Sequence, residues 1–193
     1  MKSRKIIAGV DEVGRGSLIG SVYSAAVILP DNGFSLKLRD SKKLTGKSRI
    51  KIANSLVRES ISISIGIATK DEIDSINIHH ATLLSMRRAV YNLAIKPDLV
   101  LIDGLYKPEV EIDCECIVKG DNKVEEISAA SIIAKVARDS EMDFLHDKFK
   151  MYNFKENNGY GTRQHIEAIE SLGKTIYHSC LLYTSPSPRD VCS

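Results

Sequence analysis

The stretch GVDEVGRG, residues 9–16, ends an apolar run with two adjacent carboxylates, Asp11 and Glu12, and follows them with Gly14, Arg15 and Gly16. Folding alone does not ask for this arrangement. Two more acids close apolar segments: Asp103 ends DLVLIDG, and Asp121 follows CIVKG. In an open α/β sheet, ligand chemistry gathers beyond the carboxyl ends of parallel strands. If these three segments are neighbouring parallel strands, four carboxylates meet in one place. Like charges so close raise one another's pKa, and a hard divalent cation bound through oxygen relieves them. A set without His or Cys favours Mg2+ or Mn2+ over zinc. Two such ions about 4 Å apart form the clamp used in phosphoryl transfer. Asp11, Glu12, Asp103 and Asp121 are therefore candidate metal-binding and catalytic residues for phosphodiester hydrolysis. One Asp at a strand end is ordinarily a turn former or helix cap, so the reading rests on the set.

The glycines beside Asp11 and Glu12 let backbone groups approach a ligand closely. RNA differs from DNA by a 2′-hydroxyl that both donates and accepts. Bare backbone at Gly14 and Gly16 can read that group, and Arg15 can take a phosphate. The competing reading is a dinucleotide fingerprint. Gly14, Gly16 and Gly20 are spaced one residue too long for it, and the following segment, SVYSAAVILP, reads as a strand where a helix is required. The basic loop RDSKKLTGKSR carries Lys42 and Lys43, with Arg39, Lys47 and Arg49. A charge run is commonly a solvated face, but beside such a site it can track phosphates. In SAASIIAKVARD, apolar nearly all round, Ser128, Ser131, Lys135 and Asp139 form one polar stripe at helical spacing. Ser131, Lys135 and Asp139 are auxiliary candidates, with an internal Lys135–Asp139 pair as the plainer alternative. Tyr160, in NNGYGT, can stack on a base or sugar. Of the histidines, His165 is the candidate to touch the site. Cys114 and Cys116 lack further ligands at zinc spacing.

Elements must position these groups. RKIIAGVDEV and GSVYSAAVILP read as strands, SISISIGIAT alternates like one, and DLVLIDG and EIDCECIVKGD read as two more. Helical periodicity appears after the basic loop, over 71–91, over 124–152 as one long helix, and over 162–172 with Thr162 as N-cap. The expected order is ββαβαβαβαα, an α/β architecture on one mixed sheet. The 193 residues suffice for one domain, 27% are charged, and the net charge of +2 excludes a general polycation. Nucleic-acid binding would have to come from local basic clusters. No apolar run approaches the ~18 residues of a membrane span, and the N-terminus lacks a secretory signal's apolar core. A cytoplasmic protein is expected. SCLLYTSPSPRDVCS loses all periodicity. Residues 1–178 are read as one domain and 179–193 as a disordered or non-native tail.

DEVGRG, DSKKL, LIDG, KGD, SAASIIAKVARD and GYGT, in that order, resemble bacterial ribonuclease HII, the type 2 ribonuclease H, from about residue 5 to 178. The resemblance implies a ribonuclease H-like fold with a helical C-terminal extension. It implies cleavage of RNA in RNA–DNA hybrids and at single ribonucleotides in duplex DNA, leaving 3′-hydroxyl and 5′-phosphate ends. It implies a role in ribonucleotide removal, DNA repair and replication. By motif position, Asp11, Glu12, Asp103 and Asp121 look like the family's metal ligands. Gly14, Arg15 and Gly16 look like its 2′-hydroxyl reader, and Tyr160 like the tyrosine stacked on the adjacent sugar. Asp139 matches a further acidic position. The family pattern is left at SCLLYTSPSPRD, which touches none of the four carboxylates.

Two rivals remain at this point. A hybrid-binding protein without activity would have little use for four acids beside phosphate. A DNA-directed nuclease on the same fold would find no 2′-hydroxyl to read. The expected partners are RNA–DNA hybrid and ribonucleotide-containing duplex DNA, with no membrane, and the expected state is a monomer.

Overall fold

The computed structural model describes residues 5–31, 34, 38 and 45–180. Five strands form one sheet in the order β3-β2-β1-β4-β5. They are β1 (Ile7–Val13), β2 (Val22–Ile28), β3 (Ser62–Ala68), β4 (Leu99–Asp103) and β5 (Cys114–Ile117). β1–β2 and β2–β3 pair antiparallel, whereas β1–β4 and β4–β5 pair parallel. The sheet is mixed, as the strand patterns predict. The helices are α1 (Gly46–Glu59), α2 (Lys70–Tyr91), α3 (Glu125–Lys148), α4 (Phe154–Asn157) and α5 (Arg163–Leu172).

Alternation in β2 sorts the core into two layers. Ala25 and Val27 pack with Leu56 of α1 and with Ala129, Ile132 and Ile133 of α3. Ala26 points to the opposite face and packs with Met86, Ala89 and Val90 of α2. A third cluster, Ile19, Met142, Leu145, Tyr152 and Phe154, joins the far end of α3 to the C-terminal helices. No helix among the described residues is long and apolar enough to cross a membrane.

Thr162 caps α5, its side chain accepting from the His165 N–H, and Thr69 with Glu72 forms a reciprocal capping box on α2. Three expectations need correction. No helix lies between β4 and β5: residues 104–113 run irregularly, with Gly104 and Pro108 breaking any helical turn. The helix expected over 124–152 stops at Lys148, because Phe149 leaves helical geometry (φ −133°, ψ 59°), and a 3-10 turn, Lys150–Tyr152, follows. α2 breaks at Asn77 (φ 66°, ψ 167°). There the Asn77 Oδ1 accepts from the backbone N–H of His79 at 2.9 Å and of His80 at 3.2 Å, capping a restarted helix.

The alternation in β3 holds, but its small residues form the face packed on α2. Ser62 and Ser64 are buried, while Ile61 and Ile67 are exposed. A Cβ on Gly66 would lie 2.0 Å from the Ser85 carbonyl oxygen, so α2 crosses β3 at a distance only small residues permit. Ser179 and Cys180, assigned above to the tail, bond to the domain: the Ser179 N–H donates to the Leu18 carbonyl at 3.1 Å, and the Cys180 N–H to Asp74 Oδ1 at 3.1 Å.

Candidate active site

Register brings the acids together. The last β1–β4 pair is Val10↔Ile102, so Asp11 and Asp103 follow it in step. Asp103 pairs with Ile117 at the end of β5. Lys119 then turns left-handed (φ 56°), and a 3-10 turn, Gly120–Asn122, returns Asp121 to the same end of the sheet. All four carboxylates line one cleft of about 390 Å³, together with Arg49, Ser131, Lys135 and Tyr160.

Neighbouring residues of a strand face opposite ways. Asp11 leaves β1 toward α3, where the nearby Ser131 hydroxyl favours its charged form, and its Oδ1 accepts from the Glu12 N–H at 2.8 Å. Glu12 leaves on the α2 side and pairs with Arg15 Nη1 at 3.5 Å. Burial pushes the Asp11 carboxyl up to about 8, opposed by the Ser131 hydroxyl and reinforced by the charges of Glu12 and Asp103. Burial also raises Glu12, with Arg15 opposing. Asp103 Oδ1 accepts from the Gly120 N–H at 2.8 Å, and Asp121, 2% exposed, accepts from Asn122 Nδ2 at 2.8 Å.

This donor set suits a hard divalent cation: four carboxylates, no His or Cys, and one carboxyl held well above its ordinary range by burial and like charge. Among the described residues, no three Asp, Glu, His or Cys side chains already form a coordination cage. Their oxygens are engaged with Arg15, Gly120, Asn122 and the Glu12 N–H, and binding an ion would exchange some of these partners for it.

α3 supplies the opposite wall. It crosses β1 at Gly9, where a Cβ would lie 2.1 Å from the Glu126 carbonyl carbon. The polar stripe on α3 divides by role. Ser128 donates to the Leu38 carbonyl at 2.8 Å, away from the cleft. Ser131 reaches Asp11. Lys135 stands on the wall, with Nζ 2.6 Å from Asp139 Oδ1. Asp139 also holds Arg49 at 3.2 Å, so Arg49 is fixed on the cleft wall rather than presented on a loop.

The turn at residues 14–16 and Tyr160 form a continuous rim. A Cβ on Gly16 would sit 3.4 Å from Tyr160 Cε1, and Ser17 and Tyr160 form an isolated antiparallel bridge. Tyr160 is 40% exposed. His165 does not line the cleft. It is fully buried behind Tyr160, with Nδ1 2.9 Å from the Tyr160 carbonyl and Nε2 3.1 Å from His178 Nε2. The Thr175 N–H donates to His178 Nδ1 at 2.9 Å. With that nitrogen accepting, His178 Nε2 donates to His165, and His165 Nδ1 donates to Tyr160, so both rings are neutral. Burial lowers both pKa values, that of His178 to about 4, where its neighbour His165 adds to the effect. Arg39, Lys42 and Lys43 lie outside the described residues.

Sequence reasoning passed over Gly9, although a glycine interrupting an apolar strand signals close approach. It also passed over Arg138, whose signal is its place seven residues after Ser131, on the polar side of a helix otherwise read as buried.

The family model for ribonuclease HII matches residues 8–180. The chain is similar to the ribonuclease H2 of Pyrococcus horikoshii OT3, at 25% identity and a TM-score of 0.79 over 96% of each chain. It shares its fold with the Archaeoglobus fulgidus RNase HII of a PCNA complex, at 23% identity and a TM-score of 0.77 over 96% of this chain and 99% of that one. It also shares it with Bst-RNase HIII in complex with Mn2+, at 19% identity and a TM-score of 0.71 over 88% and 63%. The mixed sheet and helical C-terminal region are thus those of the ribonuclease H fold, and a match over nearly the whole chain has one meaning: it belongs to the ribonuclease HII family and is a ribonuclease H.

Proposed function

We propose that this ribonuclease H cuts the RNA strand of RNA–DNA hybrids and cuts at single ribonucleotides embedded in duplex DNA, leaving 3′-hydroxyl and 5′-phosphate ends. The observation that carries this reading is the single cleft in which four carboxylates from neighbouring strand ends face a rim of bare backbone and one tyrosine. Asp11, Glu12, Asp103 and Asp121 would hold divalent cations, Mn2+ or Mg2+; Bst-RNase HIII has been solved with Mn2+. When bound, such ions supply Lewis-acid activation of water and phosphate, and a pair of them the clamp for in-line displacement.

The chain's own groups do the rest. Asp11 and Asp103 would hold the ions at the β1–β4 junction, and so set where the reacting phosphate sits. Arg15, half exposed beside Glu12, takes a neighbouring phosphate. Backbone groups at Gly14 and Gly16 read the 2′-hydroxyl, and the Tyr160 ring beside Gly16 stacks on the next sugar. Lys135, Asp139 and Arg49 stiffen the α3 wall. Lys42 and Lys43 supply phosphate contacts that position the duplex without reading it. Removal of ribonucleotides from DNA in the cytoplasm, by a monomer, is the setting this activity fits.

The test incubates three substrates with Mn2+ or Mg2+: a duplex with one ribonucleotide, a continuous hybrid, and an all-DNA duplex. Cleavage of the first two alone is expected. Equal cleavage of all-DNA would make the protein a DNA-directed nuclease, and binding without cleavage would make it a hybrid-binding protein.

A further inference from the structure

Arg138 is a charged side chain only 2% exposed, and the chemistry above gives it nothing to do. Its Nη2 donates to Ser17 Oγ at 2.7 Å and to the Ile19 carbonyl at 2.7 Å. Its Nη1 donates to Glu141, one turn on along α3. Glu141 in turn accepts from the Ser21 N–H at 3.2 Å and the Ser21 hydroxyl at 3.0 Å. Two residues of α3 thereby clamp residues 17–21, the arm that leaves the 14–16 turn. The guanidinium also lies against the glycines at both ends of this loop. A Cβ on Gly14 would sit 3.1 Å from its Nε, and one on Gly20 would sit 2.6 Å from its Nη1. Both glycines have positive φ, 103° and 80°. The Nε itself has no hydrogen-bond partner among the described residues.

The clamp reaches Tyr160 through one residue. Ser17 Oγ, held by Arg138, also lies 3.1 Å from the Gly159 carbonyl, and the Leu18 N–H donates to that carbonyl at 2.8 Å. Gly159 is packed so closely that a Cβ on it would lie 2.5 Å from Ser17 Oγ. The turn and the tyrosine loop come from residues far apart in the chain, and Arg138 and Ser17 join them to one helix. A buried ion pair with neutral hydrogen bonds is seldom the most stabilising filling for a core. What the fork does supply is fixed geometry, since its planar donors hold their acceptors at set angles.

We propose that Arg138 is a positioning residue for ribose discrimination: through Ser17 it sets the spacing between the 14–16 turn and the Tyr160 ring. The inference rests on the reading of that turn and tyrosine given above. A single embedded ribonucleotide offers one 2′-hydroxyl, so turn and ring must meet it in register. A continuous hybrid offers one at every nucleotide, so a loosened rim still finds a productive register. Loss of the clamp therefore harms the first substrate more than the second.

The experiment uses the full chain with Arg138→Lys, which keeps the charge without the fork, and with Ser17→Ala, which removes only the relaying hydroxyl. kcat and KM are measured with Mn2+ on the single-ribonucleotide duplex and on the continuous hybrid. For Arg138→Lys, kcat/KM on the single ribonucleotide should fall by roughly 10- to 100-fold relative to that on the hybrid, the scale of an ångström-sized misplacement. Ser17→Ala should shift the ratio the same way by a smaller factor. A merely structural role would lower both substrates alike, and an unchanged ratio in folded variants overturns the proposal. If Arg138→Lys does not fold, the Ser17→Ala ratio decides alone. A wild type that cleaves neither substrate refutes the parent reading and this one with it. A wild type that cleaves both, with the ratio unmoved in the variants, refutes this one only.

Discussion

Gly9→Ala tests whether the cleft is assembled by the close crossing of α3 over β1. The added Cβ would lie 2.1 Å from the carbonyl carbon of Glu126 and 2.3 Å from the nitrogen of Ile127. Both atoms are backbone, so no rotamer change relieves the clash. Ordinary contact begins at 3.4 Å, so strand and helix must part by about 1.3 Å. Overpacking of this kind costs about 1–3 kcal/mol, which for a chain of this length lowers Tm by roughly 2–12 °C. The functional loss should be larger in proportion. α3 carries Ser131 and Lys135 over Asp11, and an ångström of displacement at reacting groups costs ~10²-fold in rate. The assay pairs thermal unfolding with kcat/KM on a single-ribonucleotide duplex. Gly46→Ala is the control, because a Cβ there meets nothing within 4 Å. If Gly9→Ala keeps the Tm and rate of that control, α3 does not pack on β1 as described, and the account of the cleft wall fails with it.

Asp103→Asn preserves an acceptor for the Gly120 N–H but removes a charge, so cleavage should drop by at least ~10²-fold while duplex binding persists; near-full activity at saturating Mg2+ removes Asp103 from the ion site. Deleting residues 181–193 should leave Tm within about 2 °C of wild type, whereas deletion from Ser179 onward also removes the bonds to Leu18 and Asp74 and should lower it visibly; equal melting of the two forms refutes that distinction. Folded His178 takes its proton near 4 and the unfolded chain near 6.5, so the unfolded state binds more protons in that window. Stability should be full above pH 6.5 and decline as pH falls toward 4, by up to about 3 kcal/mol; urea unfolding that is flat from pH 7 to 4.5 contradicts the neutral pair. Replacing Lys42 and Lys43 with Ala should weaken hybrid and plain duplex alike and flatten the salt dependence of binding by up to ~2 in slope; an unchanged slope makes the loop a solvated face.

The carboxylate cleft is legible in the sequence because each of its parts is local. An apolar run, an acid and a turn stand together at Asp11, at Asp103 and at Asp121, and only the neighbourhood of the three strands had to be supposed. The register Val10↔Ile102 and Asp103↔Ile117 supplies it. What stayed hidden depends on packing partners distant in the chain. Periodicity shows that β3 has two faces but not that its serines and glycine form the face under α2. Asn77 lies inside an amphipathic pattern, and only its left-handed backbone shows the helix restarting there. Chemical type alone puts His165 at the site; its buried contacts with His178, thirteen residues on, and with the Tyr160 carbonyl make it an anchor for the Tyr160 loop instead.

The same contrast separates two tasks within the molecule. The carboxylates hang on the sheet, where backbone pairing holds three strand ends in step. The rim of the 14–16 turn and Tyr160 hangs on α3 and the C-terminal helices, through Arg138, Ser17 and the His165–His178 pair. A Cβ on Gly16 would sit 3.4 Å from the Tyr160 ring, and both sets of bonds, with the Ser17–Tyr160 bridge, hold turn and ring at that spacing. If the rim reads the ribose as proposed, a change in the C-terminal cluster of Tyr152, Phe154 and His178 alters which nucleotide is accepted while Asp11, Asp103 and Asp121 keep their places. On the proposed function, sheet register governs whether a phosphodiester is cut, and the polar bonds beneath the rim govern which one.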